Sequence, residues 1–194
     1  MRILFVCTGN TCRSPMAEGL LRKLASERGV NVEVSSAGVA ASEGAPISRH
    51  AEAVLKDQGI MDFITSKPLY EELTDWADLI LTLTQGHKRH VIQRFPAAAD
   101  KTYTLKEYVE DDKAVLNDQE ELHQLIAELE LSKVLGKELS DIQTARLTEL
   151  LRAIPTYDIS DPFGGSRSDY DMTAGEISAA LVKLLDKMMR EGLL

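Results

Sequence analysis

Apolar and polar positions along this chain change rhythm several times, and each change marks an element. Ile3, Leu4, Phe5 and Val6 form an unbroken apolar run with β-branched and aromatic members. That is the pattern of a strand buried on both faces of a parallel sheet. After a short loop, Pro15 stands at a first helical position behind Ser14. Met16, Leu20 and Leu24 then recur at helical spacing, and Gly29 closes the segment. Residues 32–36 read as a second strand. Residues 48–56 read as a helix with Ala51, Val54 and Leu55 inward and Gly59 beyond its end. Residues 78–84 (DLILTLT) predict a third strand, followed by a helix around 87–94 that stops before Pro96. Residues 101–105 make a weaker fourth strand. Residues 173–189 close the chain as a helix, with Ile177, Leu181, Leu184 and Leu185 on one side.

Strands alternating with helices predict an α/β fold: a four-stranded parallel sheet with helices on both faces, Rossmann-like in plan. In such sheets ligands sit beyond the carboxyl ends of the strands, where the strand order reverses. The loop after the first strand lies there. One stretch breaks the rhythm. Between Tyr108 and Pro155 two helices follow one another without a strand. Asn117 with Glu120, and Ser140 with Gln143, have the spacing of capping boxes. Leu122, Leu125, Ile126 and Leu129 form one stripe, and Leu147, Leu150, Leu151 and Ile154 another, with Gly136 between. The expected organisation is one domain, residues 1–194, with a helical hairpin inserted at about 110–155. The hairpin reads as extra core, or as a lid, partner surface or dimer contact.

Bulk composition narrows the function. A chain of 194 residues builds one good core. The net charge of -9 argues against nucleic acid as the main partner, which would need a basic face. No apolar run reaches membrane-spanning length, and the opening block is too short for a secretion signal, so a cytoplasmic setting is expected. Cys7 and Cys12 are the only two cysteines, a poor metal set, and His50, His87, His90 and His123 are scattered. No metal and no cofactor are called for. His87 and His90 read as members of a solvated helix.

The chemistry concentrates in "CTGNTCRSP" at positions 7–15. A thiol five residues ahead of an arginine, after a buried strand and before a helix, suits anion binding. The backbone N–H groups of Thr8, Gly9, Asn10, Thr11 and Cys12 join those of the following helix in a cradle, and the helix dipole adds to it. Gly9 allows close approach, and Arg13 grips two phosphate oxygens with its planar fork. Cys7 lies at the floor of that positive field, which favours thiolate, and Ser14 can donate to the sulfur. A nucleotide-type phosphate loop would need Gly-Lys-Ser/Thr at the helix start, which is missing.

"VCTGNTCRSPMAEGLL" at 6–21, "SSAGV" at 35–39 and "SDPFGGS" at 160–166 resemble the low-molecular-weight protein tyrosine phosphatases. The resemblance covers residues 1–108 and 156–194. It implies a phosphorylated protein as substrate and a two-step reaction: Cys7 becomes a phosphocysteine, Arg13 binds the phosphate, and Asp161 protonates the leaving group and then assists water. Asp158 is a fallback acid. Asn10 resembles a loop-shaping asparagine bonded to Ser14 and Ser36. Cys12 matches a second cysteine that can pair with the nucleophile in a protective disulfide, or it is a small buried side chain. Thr11 departs from the aliphatic residue of tyrosine-directed members. It looks like the bacterial protein-arginine phosphatases of the same family, with Phe163 as a pocket wall or a core residue. A tyrosine phosphatase is the alternative. An arsenate reductase, which would need further thiols, and a catalytically silent phospho-binding module rank below it. The oligomeric state is not legible.

Overall fold

The computed structural model describes residues 1–194. The central sheet has four strands: β1 (Arg2–Cys7), β2 (Glu33–Gly38), β3 (Leu79–Thr82) and β4 (Thr102–Thr104). They pair in parallel in the order β2-β1-β3-β4. The helices are α1 (Arg13–Glu27), α2 (Arg49–Asp57), α3 (Glu71–Trp76), α4 (Gln85–Arg94), α5 (Leu105–Tyr108), α6 (Lys113–Val134), α7 (Asp141–Ala153) and α8 (Arg167–Arg190).

The apolar run of β1 is what holds the layers together. Its side chains alternate between two cores. Ile3 and Phe5 join Met16, Leu20 and Leu21 of α1 and Ile177, Leu181 and Leu184 of α8. Leu4 and Val6 join Ile80 of β3, Val91 of α4 and Ala98 on the other face. All four are fully buried, each burial worth roughly 1.5–3 kcal/mol. The chain leaves β1 for β2 on one side and later crosses to β3 on the other. The switch therefore falls at the carboxyl end of β1, where Cys7 lies opposite Gly38 and Val6 opposite Thr82.

Several boundaries depart from the pattern-based reading. Helix α1 starts at Arg13, so Pro15 is its third residue rather than its first. Proline loses nothing there, because first-turn N–H groups have no partner inside the helix. Strand β2 runs on to Gly38 through two serines. Its apolar signal stops early because Ser36, although buried, is satisfied by side-chain partners. Helix α8 begins at Arg167, ahead of its apolar stripe, on a capping box of Ser166 and Asp169. Helices α3 and α5 and the 3-10 turn Pro96–Lys101 are too short to show a period.

The chain divides into two compact units, Met1–Val109 with Tyr157–Leu194, and Glu110–Thr156. The second holds α6 and α7, antiparallel partners tied by Arg146 of α7 to Asp118 and Glu121 of α6 and by Gln143 to Glu128. Helix α6 is capped by Asp112, which accepts from the Ala114 N–H at 2.8 Å, so Asn117 and Glu120 lie inside it and form no capping box. The Ser140–Gln143 box is present. Ile126 and Leu151 of the expected stripes are exposed, since two helices alone cannot cover both stripes. No helix of the chain is long and apolar enough to cross a membrane.

Candidate active site

The loop between β1 and α1 is shaped from outside. Its carbonyls are taken up by neighbouring segments: Cys7 and Thr8 accept from the N–H groups of Val39 and Ala40, Thr11 from Ser48, and Gly9 from the Ser66 hydroxyl. None of the hydrogen bonds that fix the loop uses the N–H of Gly9, Asn10, Thr11 or Cys12. Those donors remain for an anion at the N-terminal end of α1.

Asn10 adopts φ 52, the only left-handed residue of the chain that is not glycine. Its side chain holds that conformation. Nδ2 donates to Ser14 Oγ and Ser36 Oγ at 2.8 Å each, and Oδ1 accepts from the Lys67 N–H at 2.8 Å. Ser36 donates to the buried Glu18 carboxylate, whose affinity for a proton is raised above the ordinary value, chiefly by burial. Ser14 Oγ lies 3.0 Å from Cys7 Sγ. Because Ser14 already accepts from Asn10, its own proton can be given to the sulfur or to the Ala37 carbonyl, which lies at 3.5 Å.

A pocket of about 240 Å³ opens over this loop, lined by Cys7, Thr8, Gly9, Thr11, Cys12, Arg13, Asp161 and Phe163. Arg13 is buried, with 6% of its surface exposed. It donates through Nη2 to Asp161 Oδ2 at 2.8 Å and through Nη1 to the Ile159 carbonyl at 3.4 Å, while Nε–H has no partner in the protein. A buried guanidinium with a spare donor is unusual and marks a place for an anionic ligand. Asp161 also accepts from the Phe163 N–H at 3.1 Å, which stiffens its loop. Phe163 is 77% exposed at the pocket rim, beside Gly164 at φ 77, and is no core residue.

Four further residues shape the site. A Cβ on Gly38 would stand 2.5 Å from the Thr8 carbonyl oxygen and 2.8 Å from Asn10 N, so only glycine lets β2 approach the loop. At Gly9 a Cβ would meet only Thr11 Oγ1, at 3.6 Å, so the close-approach demand within the protein falls on Gly38 instead. Its signal in the sequence was the "SSAGV" segment. Tyr170 of α8 holds Cys12, with its hydroxyl 3.1 Å from Sγ; both cysteines are free and buried. Asp158 is tied to the start of α4, accepting from the Gln85 N–H at 2.7 Å, which gives it a helix-capping role rather than that of an acid. His87, expected on a solvated helix, is instead buried, with its ring bonded to Thr8 Oγ1 at 2.8 Å and Thr84 Oγ1 at 2.9 Å. An amphipathic pattern cannot reveal that, since α4 is polar nearly throughout.

Burial, and then the charge of Arg13, lower the His87 pKa from 6.5 to about 4. Asp158 and Asp161 oppose the shift and His90 adds to it. In the unfolded chain the imidazole takes up a proton near 6.5, and in the folded chain only near 4, so between those values the unfolded state binds more protons. Stability therefore falls as pH drops from about 6.5 to about 4. Urea unfolding at pH 7, 6 and 5 should show that decline, and His87→Gln should flatten it; an equal decline in the variant would refute the buried neutral ring.

The parallel sheet with an anion cradle, a buried arginine and a thiol at its switch point defines a cysteine-dependent phosphatase architecture. Residues 2–139 match the model of the low molecular weight phosphotyrosine protein phosphatases, and the chain belongs to that family. A protein-arginine-phosphatase of Geobacillus stearothermophilus is 37% identical over 98% of this chain and 97% of its own length. One of Bacillus subtilis is 35% identical over 98% of this chain and 99% of its own. Among solved structures, a mutant of the YwlE arginine phosphatase with a phosphorylated active-site serine superposes with a TM-score of 0.72. It is 35% identical and covers 97% of this chain and 96% of that one.

Proposed function

We propose that this chain is a protein-arginine phosphatase working through a phosphocysteine on Cys7. The observation that carries the reading is the buried Arg13 with its unpartnered Nε–H beside Cys7 in one pocket. A phosphoryl group held by the loop N–H groups and by Arg13 puts phosphorus in line with the sulfur. The Cys7 thiolate attacks, an S–P bond forms and the bond from phosphorus to the leaving group breaks. Asp161 gives its proton to the departing guanidine nitrogen. Water then adds to phosphorus, its proton goes to Asp161, the S–P bond breaks, and orthophosphate leaves. Arg13 and the loop donors stabilise the negative charge on the equatorial oxygens throughout.

Because Arg13 Nη2 is engaged by Asp161, an incoming phosphoryl group competes for that donor. Substrate entry thereby releases the carboxyl for its work on the leaving group. Cys12 is proposed as the redox partner of Cys7, in a cytoplasmic setting where both are ordinarily thiols.

Support for arginine over tyrosine comes from the relatives that match almost end to end and from Thr11 at the pocket wall. A hydroxyl there can pair with guanidine N–H groups that an aliphatic side chain would strand, and stranded buried donors are costly. The test is phosphate release from phosphoarginine and phosphotyrosine peptides by wild type and Thr11→Ile. Wild type should prefer phosphoarginine, and the variant should lose that preference by about tenfold or more. A wild-type preference for phosphotyrosine would overturn the assignment.

A further inference from the structure

The loop threonine Thr8 is held by a residue from the far side of the switch point. Strand β3 neighbours β1, so the helix after β3 begins next to the loop after β1. Thr84 caps α4, its Oγ1 accepting from the His87 N–H at 3.2 Å. Three residues on, the His87 ring turns back over that cap: Nδ1 lies 2.9 Å from the same Thr84 Oγ1, and Nε2 lies 2.8 Å from Thr8 Oγ1.

Proton balance decides the direction of this chain. The Thr84 hydroxyl has one proton and already accepts from the His87 N–H. If Nδ1–H also donated to it, the hydroxyl proton of this half-buried residue would have no acceptor within the protein and would have to turn to solvent, since Oγ1 has no other protein partner. With Nδ1 as acceptor every group is satisfied: Thr84 O–H donates to Nδ1, and Nε2–H donates to Thr8 Oγ1. The Thr8 hydroxyl, having received, keeps its own proton to give, and Thr8 lines the pocket with Cys7 and Arg13. The opposite tautomer would take that proton and turn a lone pair towards the anion. The ring is neutral at physiological pH, as this direction requires, because burial and Arg13 disfavour its cation more than Asp158 and Asp161 favour it.

We propose that His87 is a positioning residue that, through Nε2–H, fixes the Thr8 hydroxyl as a donor to a phosphoryl oxygen of the substrate. The proposal rests on the phosphatase reading but holds for either phosphoarginine or phosphotyrosine, since it concerns the group they share. Donation by a hydroxyl that itself receives a hydrogen bond is strengthened by cooperativity.

The test is a double-variant cycle read two ways, by turnover of para-nitrophenyl phosphate and by calorimetric binding of inorganic phosphate. Thr8→Val and His87→Phe should each weaken phosphate binding and lower kcat/KM by roughly tenfold. In the Thr8→Val background, His87→Phe should cost nothing more. His87→Gln, whose amide N–H reaches towards Thr8, should recover most of the loss. A further tenfold loss in the double variant would show that His87 acts by packing alone and overturn the proposal. If His87→Phe does not fold, Thr8→Val still decides: phosphate binding as tight as in wild type would mean that the hydroxyl is unused. If the wild type turns over no phosphate compound, the phosphatase reading fails instead, while calorimetry still reports on the His87–Thr8 pair.

Discussion

Cys7→Ser should abolish turnover, by more than about 10⁴-fold, while the protein stays folded with a nearly unchanged melting temperature. The reasoning is local. Cys7 ends β1 with 3% of its surface exposed, and its sulfur lies 3.0 Å from Ser14 Oγ. Serine is smaller and keeps a hydrogen bond to Ser14, so neither cavity nor orphaned donor of consequence results. Chemically the change is severe. A serine hydroxyl is hardly ionised under the same donors, and the side chain bonded to it, Ser14, is no base. Stopped-flow turnover and a thermal melt check the two parts. Turnover within a hundredfold of wild type would remove Cys7 from the nucleophile's role.

Asp161→Asn carries the second large effect. With phosphoarginine as substrate kcat should fall by about 10²–10⁴-fold, because a guanidine leaves only when protonated. With para-nitrophenyl phosphate the leaving group needs no proton. The first step then survives, the second slows for want of a base, and a burst of nitrophenol precedes the steady state. KM should not rise, since the substitution frees Arg13 from its partner at 2.8 Å. Equal losses on both substrates, with no burst, would show that Asp161 orders its loop and moves no proton.

Much of the fold was legible because one run decides it. Ile3 to Val6 has no polar residue, so β1 had to be covered on both faces, and the helices follow from that need. The loop after it was legible for a different reason. Cysteine, arginine, serine and proline at that spacing are all local, within nine positions, and an anion cradle is built from contiguous backbone. That Arg13 and Asp161 serve one site was legible only through the family resemblance, since 148 positions separate them, and that they bond to each other appears only in the structure.

Sequence alone determined the class of site: a thiol and a guanidinium brought together by one strand-loop-helix turn. Only the tertiary structure decided how that loop is held and what proton balance it has. Gly38 approaches it from β2, Lys67 and Ser66 close it from a connecting segment, and His87 reaches it from the helix after β3. Apart from Gly38, which lies in the "SSAGV" likeness to the family, none of these has a local signature. A glycine, a lysine N–H or a histidine on a polar helix looks the same along the chain whether it meets solvent or a catalytic loop. Strand order places them there: β2 and β3 flank β1, so Gly38 and the segment bonded to it arrive from one side and His87 from the other.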